Sequence, residues 1–232
     1  MEKIKGISFF CPAYYDGGNI SHVVNKAVRV FTELCEDYEI IVVNDGSPDN
    51  TGEVLDGLAS IHEKMKVIHH PRNLGYAQAL KTGLINANRF EFILFTDGDN
   101  QYDVGYFREM IGYMKDYDAV ITYRTRNGNS IVRRFISWVF NRVLNIMFGQ
   151  PYKDLSSAFR LVKRRAFSDI KFVSTSIFLP VEAVLRIHKK NYKIKEIPIQ
   201  TRERMHGRST SLLPKSFIGV VIDMVKVRLG YF

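Results

Sequence analysis

The stretch FEFILFTDGDNQYD, residues 90–103, decides how the rest of the sequence is interpreted. It opens with an almost unbroken apolar run, typical of a strand that is buried on both faces of a parallel sheet. Two carboxylates, Asp97 and Asp99, follow the run. If the backbone stays extended there, side chains two residues apart point the same way, so both carboxylates project beyond the carboxyl end of a central strand. Open α/β sheets bind ligands at that edge.

Paired carboxylates repel each other unless a cation accompanies them, and Mg2+ and Mn2+ favour oxygen ligands of this kind. Gln101, two residues further along, can add a carbonyl oxygen. A strand that simply runs into a polar Asp/Gly/Asn turn would have the same sequence. The choice between a metal site and a turn therefore depends on the other motifs.

Length and composition indicate one domain in a reducing environment. A chain of 232 residues is long enough for a sizeable core and gives no reason to expect a second globular domain. Cys11 and Cys35 lack a C-x-x-C or Cys/His spacing, which favours free thiols in the cytosol. The N-terminal apolar run is too short for a signal peptide. No run reaches the ~18–20 apolar residues of a membrane span, since Asp223 interrupts the longest late candidate, Phe217–Val225.

Charge divides the chain into two unlike parts. Residues 1–123 carry 11 Lys and Arg against 18 Asp and Glu, whereas residues 124–232 carry 22 against 6, and the total is +9. A basic half suggests phosphate groups on nucleic acid, nucleotides or lipid headgroups. Solvated surface charge is the alternative for any single lysine, although it explains the division less well.

The first half alternates strand-like and helix-like segments, as in a wound α/β sheet. Strands are predicted at Ile7–Cys11, Tyr38–Asn44, Lys66–His69, the run from Phe90, and Ala119–Tyr123. Helices are predicted from Asn19 or Ser21, from Thr51, and at Gly75–Asn88 and Val104–Met114.

The second half is less regular. We expect an amphipathic helix at Val132–Phe148, a helix at Ala183–His188, a strand at Tyr192–Ile199 and an amphipathic tail at Leu212–Phe232. The middle helix and the tail either dock on the core or lie in a bilayer interface with basic residues toward anionic headgroups. The predicted organisation is one domain over residues 1–211, followed by an amphipathic tail over 212–232 that is a candidate for contact with a membrane interface.

Polar motifs follow the predicted strands in order: PAYYDGGNI, NDGSPDNT, HPRNLGYAQALKTG and DGDNQ. With the later DLSSAFRLV and RMHGRST, this succession resembles the GT-A glycosyltransferases of family 2. It is most similar to the polyprenyl-phosphate branch that includes dolichyl-phosphate mannose synthase. The resemblance covers nearly the whole chain. It implies a single Rossmann-like α/β domain of the GT-A fold, with a mostly parallel central sheet flanked by helices and with amphipathic C-terminal helices.

The resemblance places donor contacts at the ends of the first two strands. PAYYD matches the family's P-x-Y-N-E turn, which holds the nucleotide base and ribose, with Tyr15 in place of Asn and Asp16 in place of Glu. Asp45 matches the D-G-S aspartate that contacts the nucleobase. A tight turn and helix cap is the alternative for DGSPD. The implied donor contacts here are Pro12, Tyr14, Asp16 and Asp45.

DGDNQ matches the family's D-x-D-x-Q motif. The resemblance implies that Asp99 and Gln101 hold Mg2+ or Mn2+, and that Asp97 and Gly98 lie close to the donor. The metal would neutralise charge that develops on the leaving diphosphate. Gly98 stands where Ala is more usual, which we expect to add flexibility without removing a ligand.

Several basic residues fall where this branch binds the acceptor. Guanidinium groups pair bidentately with phosphate, although a solvated helix face is the alternative for any single arginine. DLSSAFR matches D-x-x-x-x-F-R, in which the aspartate lies near the acceptor oxygen and the arginine supports the site. The implied acceptor-phosphate contacts are Arg124, Arg133, Arg134, Ser137 and Arg160. The implied catalytic residues are Asp97, Asp99, Asp154, Arg124 and Arg133.

RMHGRST resembles the R-x-x-G-x-S loop that closes over the donor diphosphate, which implies donor contacts from Arg204 and Arg208. Thr210 stands where many relatives have Lys, and Arg208 could supply that charge. We interpret His69 and His70 as strand-end residues without a role of their own.

These motifs imply an inverting transfer of a sugar from a GDP- or UDP-sugar to a polyprenyl phosphate. A phosphomonoester has a second pKa of about 6, so its oxygen needs positioning more than deprotonation. Transfer to a saccharide hydroxyl is the first alternative, but it needs a base, and the acceptor region offers only Glu182. A non-catalytic nucleotide- or RNA-binding protein is the remote alternative, since the aromatics fall mostly in apolar runs.

The expected cofactor is Mg2+ or Mn2+, and the expected partners are a nucleotide-sugar donor and a polyprenyl-phosphate acceptor, without nucleic acid. Membrane contact is expected to be peripheral, at the cytosolic face. A membrane-anchoring partner or a homo-oligomer is left open. The sequence does not identify the sugar, the nucleobase or the polyprenol.

Overall fold

The computed structural model describes residues 2–126, 131–168, 170–203 and 214–230. The strands in these ranges are β1 (Ile4–Ala13), β2 (Cys35–Asn44), β3 (Met65–His69), β4 (Phe92–Phe95), β5 (Ala119–Arg126), β6 (Arg160–Lys163) and β7 (Ile194–Gln200). The α-helices are α1 (Ile20–Leu34), α2 (Thr51–Ile61), α3 (Tyr76–Asn86), α4 (Phe107–Tyr113), α5 (Ile131–Phe148), α6 (Leu179–Lys189) and α7 (Pro214–Gly230). Short 3-10 helices occur at Val104–Tyr106 and Arg164–Phe167.

The strands form one seven-stranded sheet in the order β3-β2-β1-β4-β6-β5-β7. β6 runs antiparallel to both of its neighbours, β4 and β5. The other neighbouring pairs are parallel. The prediction of a single α/β domain with a mostly parallel sheet and flanking helices is confirmed.

β4 lies near the centre of the sheet and is buried on both faces, as its apolar run predicts. Leu94 packs into the cluster that includes α1, whereas Ile93 and Phe95 pack into the cluster that includes α3. The strand begins at Phe92 and not at Phe90. The reason is local, because the carbonyl of Phe90 accepts a hydrogen bond from the Arg164 side chain and not from a neighbouring strand.

β6 is the strand that the sequence analysis did not predict. It has four residues, Arg160–Lys163, and all four are buried. So short a run, with a charged residue at each end, gives no clear period of alternation. Its first three residues are the last three of the DLSSAFRLV stretch, which was interpreted only as a functional motif.

The helices on the α1 side form because their apolar residues recur at helical spacing. In α1, Val23, Val24, Ala27 and Phe31 are buried against the sheet. Cys11 and Cys35 are both buried free thiols, which agrees with the prediction of no disulfide.

The second half of the chain builds a further core in which α5, α6 and α7 pack with Ile121 of β5. The outer surfaces of α5 and α7 carry large apolar side chains that are exposed. They are Phe135, Trp138, Val139, Val143 and Ile146 on α5, and Phe217, Ile218, Val221, Ile222, Val225 and Leu229 on α7. No helix in the described ranges combines the length and the apolar character that crossing a bilayer requires.

Asp223, which interrupts the apolar run of the tail, lies on the buried side of α7. Its Oδ2 accepts hydrogen bonds from the backbone N–H groups of Thr175 (2.9 Å) and Ser176 (2.8 Å). α7 is therefore attached to the domain through a buried carboxylate as well as through apolar contacts. The predicted division at residues 211 and 212 stays a prediction.

Candidate active site

The polar strand ends meet at one edge of the sheet. β2, β1 and β4 are adjacent and parallel, so the residues that follow them lie side by side. Asp16 follows β1, Asp45 follows β2, and Asp97 and Asp99 follow β4. This is the arrangement that the motif order predicts.

The turn after β1 is held to the turn after β2. Asp16 Oδ2 accepts from the Tyr14 N–H at 3.1 Å, and the Asp16 N–H donates to Thr51 Oγ1 at 3.0 Å. Tyr15 has a φ of 57°, and its N–H donates to Ser47 Oγ at 2.8 Å. Pro12 and Ala13 are the last residues of β1 and pair with β2. The predicted donor contacts Tyr14 and Asp16 are thus brought together in one ordered turn.

Asp45, the predicted nucleobase contact, is 3% exposed and binds the loop after β3. Its Oδ1 accepts from the Leu74 N–H at 2.9 Å and contacts His70 Nδ1 at 2.8 Å. Its Oδ2 accepts from the Gly75 N–H at 2.9 Å. Asp45 therefore orders the start of α3, in addition to any contact that it makes with a ligand.

His70 has a structural task that sequence reasoning missed. A carboxylate oxygen only accepts, so Nδ1 carries the hydrogen that Asp45 receives, and in the neutral ring Nε2 accepts from Thr82 Oγ1 at 3.0 Å. The register of the sheet could have indicated this contact, because Asn44 pairs with His69 and the next residues of the two strands are Asp45 and His70.

The turn after β4 departs from the expected extended geometry. The strand ends at Phe95, the chain turns at Gly98 and Asp99, and Asn100 has a φ of 60°. Asp99 is 3% exposed, and its Oδ1 accepts from the Gln101 N–H at 3.1 Å. The alternation argument for the two carboxylates was wrong, because the backbone does not stay extended.

Gly98 is required by a close contact of backbone with backbone. A Cβ built on this residue would lie 2.6 Å from the Pro12 carbonyl oxygen, at the end of the neighbouring strand β1. Real Cβ atoms do not approach a backbone oxygen that closely. Glycine here permits the turn after β4 to lie against β1, and the expectation that it adds flexibility stays a prediction.

Tyr76 is a second residue of the site that sequence reasoning missed. Its hydroxyl donates to Asp97 Oδ1 at 2.7 Å. Burial, the Asp97 charge and this hydrogen bond together raise the pKa of Tyr76 well above its ordinary value. The phenol therefore keeps its proton and remains a donor. Nothing in the local sequence pairs residues 76 and 97, because the contact arises from the placement of α3 beside β4.

Arg124 of β5, a predicted acceptor contact, is paired with Asp154. Arg124 Nε donates to Asp154 Oδ2 at 2.7 Å, and Nη2 donates to Asp154 Oδ1 at 3.1 Å and to Ser156 Oγ at 2.6 Å. Burial alone would raise the pKa of Asp154, but the Arg124 charge and hydrogen bonds from Arg124 and Ser156 outweigh it and lower the pKa. Asp97 acts electrostatically on the same guanidinium. The structure thus pairs Arg124 with Asp154, and Asp97 lies close enough to act on Arg124 electrostatically.

Arg160 is 1% exposed and lies beneath the site. Its guanidinium donates to the backbone carbonyls of Ser157 (3.0 Å), Leu155 (2.5 Å) and Pro180. Burial lowers its pKa to about 10. The predicted contact with an acceptor phosphate does not fit this burial, whereas the supporting role does, because Arg160 fixes the segment that carries Asp154.

The remaining predicted site residues lie partly outside the described part of the chain. Ser137 is partly exposed on α5, where its carbonyl accepts from Asn141 Nδ2 at 2.9 Å. The side chains of Arg133 and Arg134, and the residues Arg204 and Arg208, lie outside the described residues.

Glu182, the candidate base for a saccharide acceptor, is fully buried in α6. It accepts from the backbone N–H groups of Val173 (3.1 Å) and Ser174 (2.8 Å), and it pairs with Arg186 Nε at 2.6 Å. These contacts give the Glu182 carboxylate a structural role.

The donor set fits a hard divalent ion shared with a ligand. Within the described ranges, no group of three or more His, Cys, Asp or Glu side chains is placed to hold a metal by itself. Mg2+ commonly takes one or two carboxylates and completes its ligands with water and substrate phosphate oxygens. Asp99, with its carboxylate, and Gln101, with its amide oxygen, supply ligands of that kind.

Residues 8–171 match the family model described as glycosyl transferase family 2. The chain belongs to this family. It is 32% identical over 161 residues to CsbB of Bacillus subtilis (strain 168), which carries a glycosyltransferase name, covering 69% of this chain and 49% of that protein. It is 24% identical over 245 residues to the dolichyl-phosphate beta-glucosyltransferase ALG5C of Trichomonas vaginalis, covering 97% and 71%.

A third relative, the uncharacterized glycosyltransferase sll0501 of Synechocystis sp., is 30% identical over 167 residues, covering 71% of this chain and 52% of that protein. The family 2 chain thus spans about half the length of two of these curated relatives.

Among solved structures, the family 2 chain is similar to glucosyl-3-phosphoglycerate synthase from Mycobacterium tuberculosis. A complex with Mn2+, UDP and phosphoglyceric acid gives a TM-score of 0.76 at 18% identity, covering 97% of this chain and 79% of that chain. A complex with Mg2+ and UDP gives 0.74 at 16% identity, covering 97% and 79%. These likenesses show the fold, which is the predicted GT-A fold.

Proposed function

We propose that this family 2 glycosyltransferase moves a sugar from a nucleoside-diphosphate sugar to the phosphate of a polyprenyl carrier, with Mg2+ or Mn2+ as cofactor. The observation that carries the proposal is the Arg124 guanidinium, held by Asp154 and within electrostatic reach of Asp97. A cation suited to an acceptor phosphate and the carboxylates of the donor motif therefore lie at the same edge of the sheet.

On the donor side, Tyr14, Asp16 and Asp45 would hold the base and ribose, and Asp99 and Gln101 would hold the metal. The metal, when bound, would neutralise charge on the leaving diphosphate. Arg204 and Arg208 would contact the same diphosphate. The bond from the anomeric carbon to the diphosphate oxygen breaks, a bond to the acceptor phosphate oxygen forms on the opposite face, and the nucleoside diphosphate leaves, so the configuration inverts.

On the acceptor side, Arg124 would bind the phosphate. A guanidinium has five N–H groups. Among the described residues, only Asp154 and Ser156 form hydrogen bonds with it, through Nε and Nη2, so Nη1 is available to a phosphate oxygen. A phosphate monoester, with a second pKa of about 6, is largely ionised at neutral pH and needs no base. Asp154, whose pKa is lowered, suits holding Arg124 better than it suits accepting a proton. Arg133, Arg134 and Ser137 of α5 would extend the phosphate site.

The state of Glu182 favours this acceptor over a saccharide hydroxyl. A hydroxyl acceptor needs a general base within reach of it. Glu182 is fully buried and bound to backbone amides and Arg186, so it is not presented to a substrate. One relative supports a phosphate acceptor, since it is named for dolichyl phosphate.

We also propose that the chain works in peripheral contact with the cytosolic face of a membrane, where a polyprenyl phosphate resides. The exposed apolar surfaces of α5 and α7 would enter the bilayer interface. Arg142 on α5, and Lys226 and Arg228 on α7, are exposed and would contact anionic headgroups.

The test is transfer from radiolabelled UDP- and GDP-sugars, with Mn2+ or Mg2+, into a short-chain polyprenyl phosphate. Asp99→Ala is compared with Asp116→Ala, which removes an exposed carboxylate near the start of β5. We expect label in solvent-extractable lipid that depends on metal, that Asp99→Ala abolishes and that Asp116→Ala retains. Label in free saccharides without label in lipid would overturn the phosphate acceptor and make Asp154 the candidate base.

A further inference from the structure

Tyr76, the first residue of α3, joins the helix to the donor motif. Its hydroxyl donates to Asp97 Oδ1 at 2.7 Å. Its ring is partly buried and packs against the apolar cluster that contains Phe10, Phe95 and Leu80. The ring is thus held by packing, so the hydroxyl is presented to Asp97 from a fixed direction.

The start of α3 is itself fixed by Asp45. The carboxylate of Asp45 receives the N–H groups of Leu74 and Gly75, the two residues before Tyr76. Gly75 has a φ of 92°, a conformation that favours glycine. Asp45 and Asp97 are the two aspartates with predicted roles at the nucleobase and near the sugar diphosphate, and both are bound by residues 74–76.

The loop before α3 also lies flush against the turn after β2. A Cβ on Gly46 would lie 2.2 Å from the carbonyl carbon of Arg72 and 2.5 Å from the backbone nitrogen of Asn73. His70 adds a hydrogen bond to Asp45 from the start of the same loop. This packing leaves the backbone before Tyr76 little room to shift relative to β2.

We propose that Tyr76 is a positioning residue for the donor, which sets the orientation of Asp97 and couples it, through the start of α3, to Asp45. The proposal rests on the proposed function in one respect, that the ligand of this edge is a nucleoside-diphosphate sugar. Tyr76 acts through Asp97 and takes no part in bond making. A hydroxyl that only needed a partner could use any nearby carbonyl, whereas this one binds the first carboxylate of the Asp-Gly-Asp turn.

The test is Tyr76→Phe, which removes the hydroxyl and keeps the ring. Tyr192→Phe is the matched control, because it removes a hydroxyl that donates to the Arg165 carbonyl at 3.0 Å. This contact lies at the end of β6 that is away from the candidate active site. We measure binding of UDP and GDP with Mn2+ by calorimetry, donor and acceptor KM, kcat, and thermal unfolding.

We expect Tyr76→Phe to raise the Kd of the nucleoside diphosphate and the donor KM about tenfold, with acceptor KM and thermal unfolding close to those of Tyr192→Phe. Unchanged nucleotide binding, or equal effects on donor and acceptor, would overturn the proposal. Calorimetry of nucleotide binding needs no acceptor. If no sugar is transferred to lipid but Tyr76→Phe still weakens nucleotide binding, the proposed acceptor is rejected and this inference stands.

Discussion

At the scale of one residue, the close contact between Gly98 and the Pro12 carbonyl leads to a prediction about stability. A methyl group on Gly98 would overlap the Pro12 carbonyl oxygen, so Gly98→Ala must displace β1 or the turn that carries Asp97 and Asp99. We expect the free energy of unfolding to fall by about 1–3 kcal/mol, as for other overpacked sites. We also expect weaker nucleotide binding with Mn2+. Urea denaturation and calorimetry measure the two effects.

Gly57→Ala is the matched control for that prediction. Gly57 lies in α2, and a Cβ there meets no atom within 4 Å. Alanine in an open helical position is favoured over glycine by about 0.5–1 kcal/mol. If Gly98→Ala is as stable as the wild type and binds nucleotide equally well, the close contact is not important.

The lowered pKa of Asp154 leads us to expect that stability depends on pH. Its folded pKa lies below the ordinary value of 3.8, so its contribution is fully present above that value and is lost as pH falls through the lower folded pKa. We expect Asp154→Asn to lower the free energy of unfolding by about 3 kcal/mol at pH 7, because Arg124 loses its partner in a mostly buried pair. The difference from wild type should shrink as pH falls from about 4 toward 2.

Urea denaturation over that pH range checks the prediction, with Asp116→Asn as an exposed control. A loss for Asp154→Asn that stays constant with pH would indicate a packing defect and not a lost ion pair.

The limits of sequence reasoning are also visible at this scale. The motifs place Asp16, Asp45 and Asp97 at one edge, because parallel neighbouring strands bring their carboxyl ends together. They do not give the partner of each side chain. The contact of Tyr76 with Asp97 depends on how α3 packs, and packing is set by many residues at once.

At the scale of elements, we expect the hydrogen bonds of Asp223 to hold α7 on the domain. Asp223→Ala leaves the N–H groups of Thr175 and Ser176 without their acceptor in a partly buried place. Each unsatisfied group costs about 1–3 kcal/mol, so we expect a loss of about 3 kcal/mol in the free energy of unfolding. Amide hydrogen exchange at residues 175 and 176 should accelerate.

Lys226→Ala, which changes an exposed residue of the same helix, is the control and should leave both measurements unchanged. Slow exchange at residues 175 and 176 in Asp223→Ala would show that α7 is attached mainly by its apolar contacts.

Element prediction from sequence succeeded where a segment is long and its period is clear. The helix α1, with its regular apolar spacing over 15 residues, is an example. β6 was missed because a strand of four buried residues shows neither alternation nor a distinct composition. Its antiparallel direction is a property of the whole sheet and leaves no local signal.

At the scale of the whole molecule, the apolar surfaces of α5 and α7 predict binding to anionic vesicles. Trp138 is the single tryptophan of the chain and is 63% exposed on α5, so a blue shift of its emission reports entry into the interface. The double variant Phe217→Ser with Ile222→Ser keeps this probe. Each substitution removes apolar contact worth about 1 kcal/mol, so we expect vesicle binding to weaken at least about tenfold.

The control replaces two exposed apolar residues elsewhere, Ile61→Ser with Ile85→Ser, and should bind vesicles as the wild type does. Raising the salt concentration should weaken binding, because the electrostatic attraction of Arg142, Lys226 and Arg228 to headgroups is screened. No emission shift with anionic vesicles would remove the membrane proposal.

The reversed direction of β6 has a consequence for engineering. The residues proposed to bind the donor come after their strands, whereas Asp154 and Ser156 come before β6. Both groups still reach the same edge because β6 runs the other way. The segment between β5 and β6 therefore starts and ends at the edge of the sheet that carries the candidate active site. It does not interrupt β1, β2 or β4. Exchanging residues 127–159 between relatives should transplant acceptor choice onto an unaltered nucleotide-binding half.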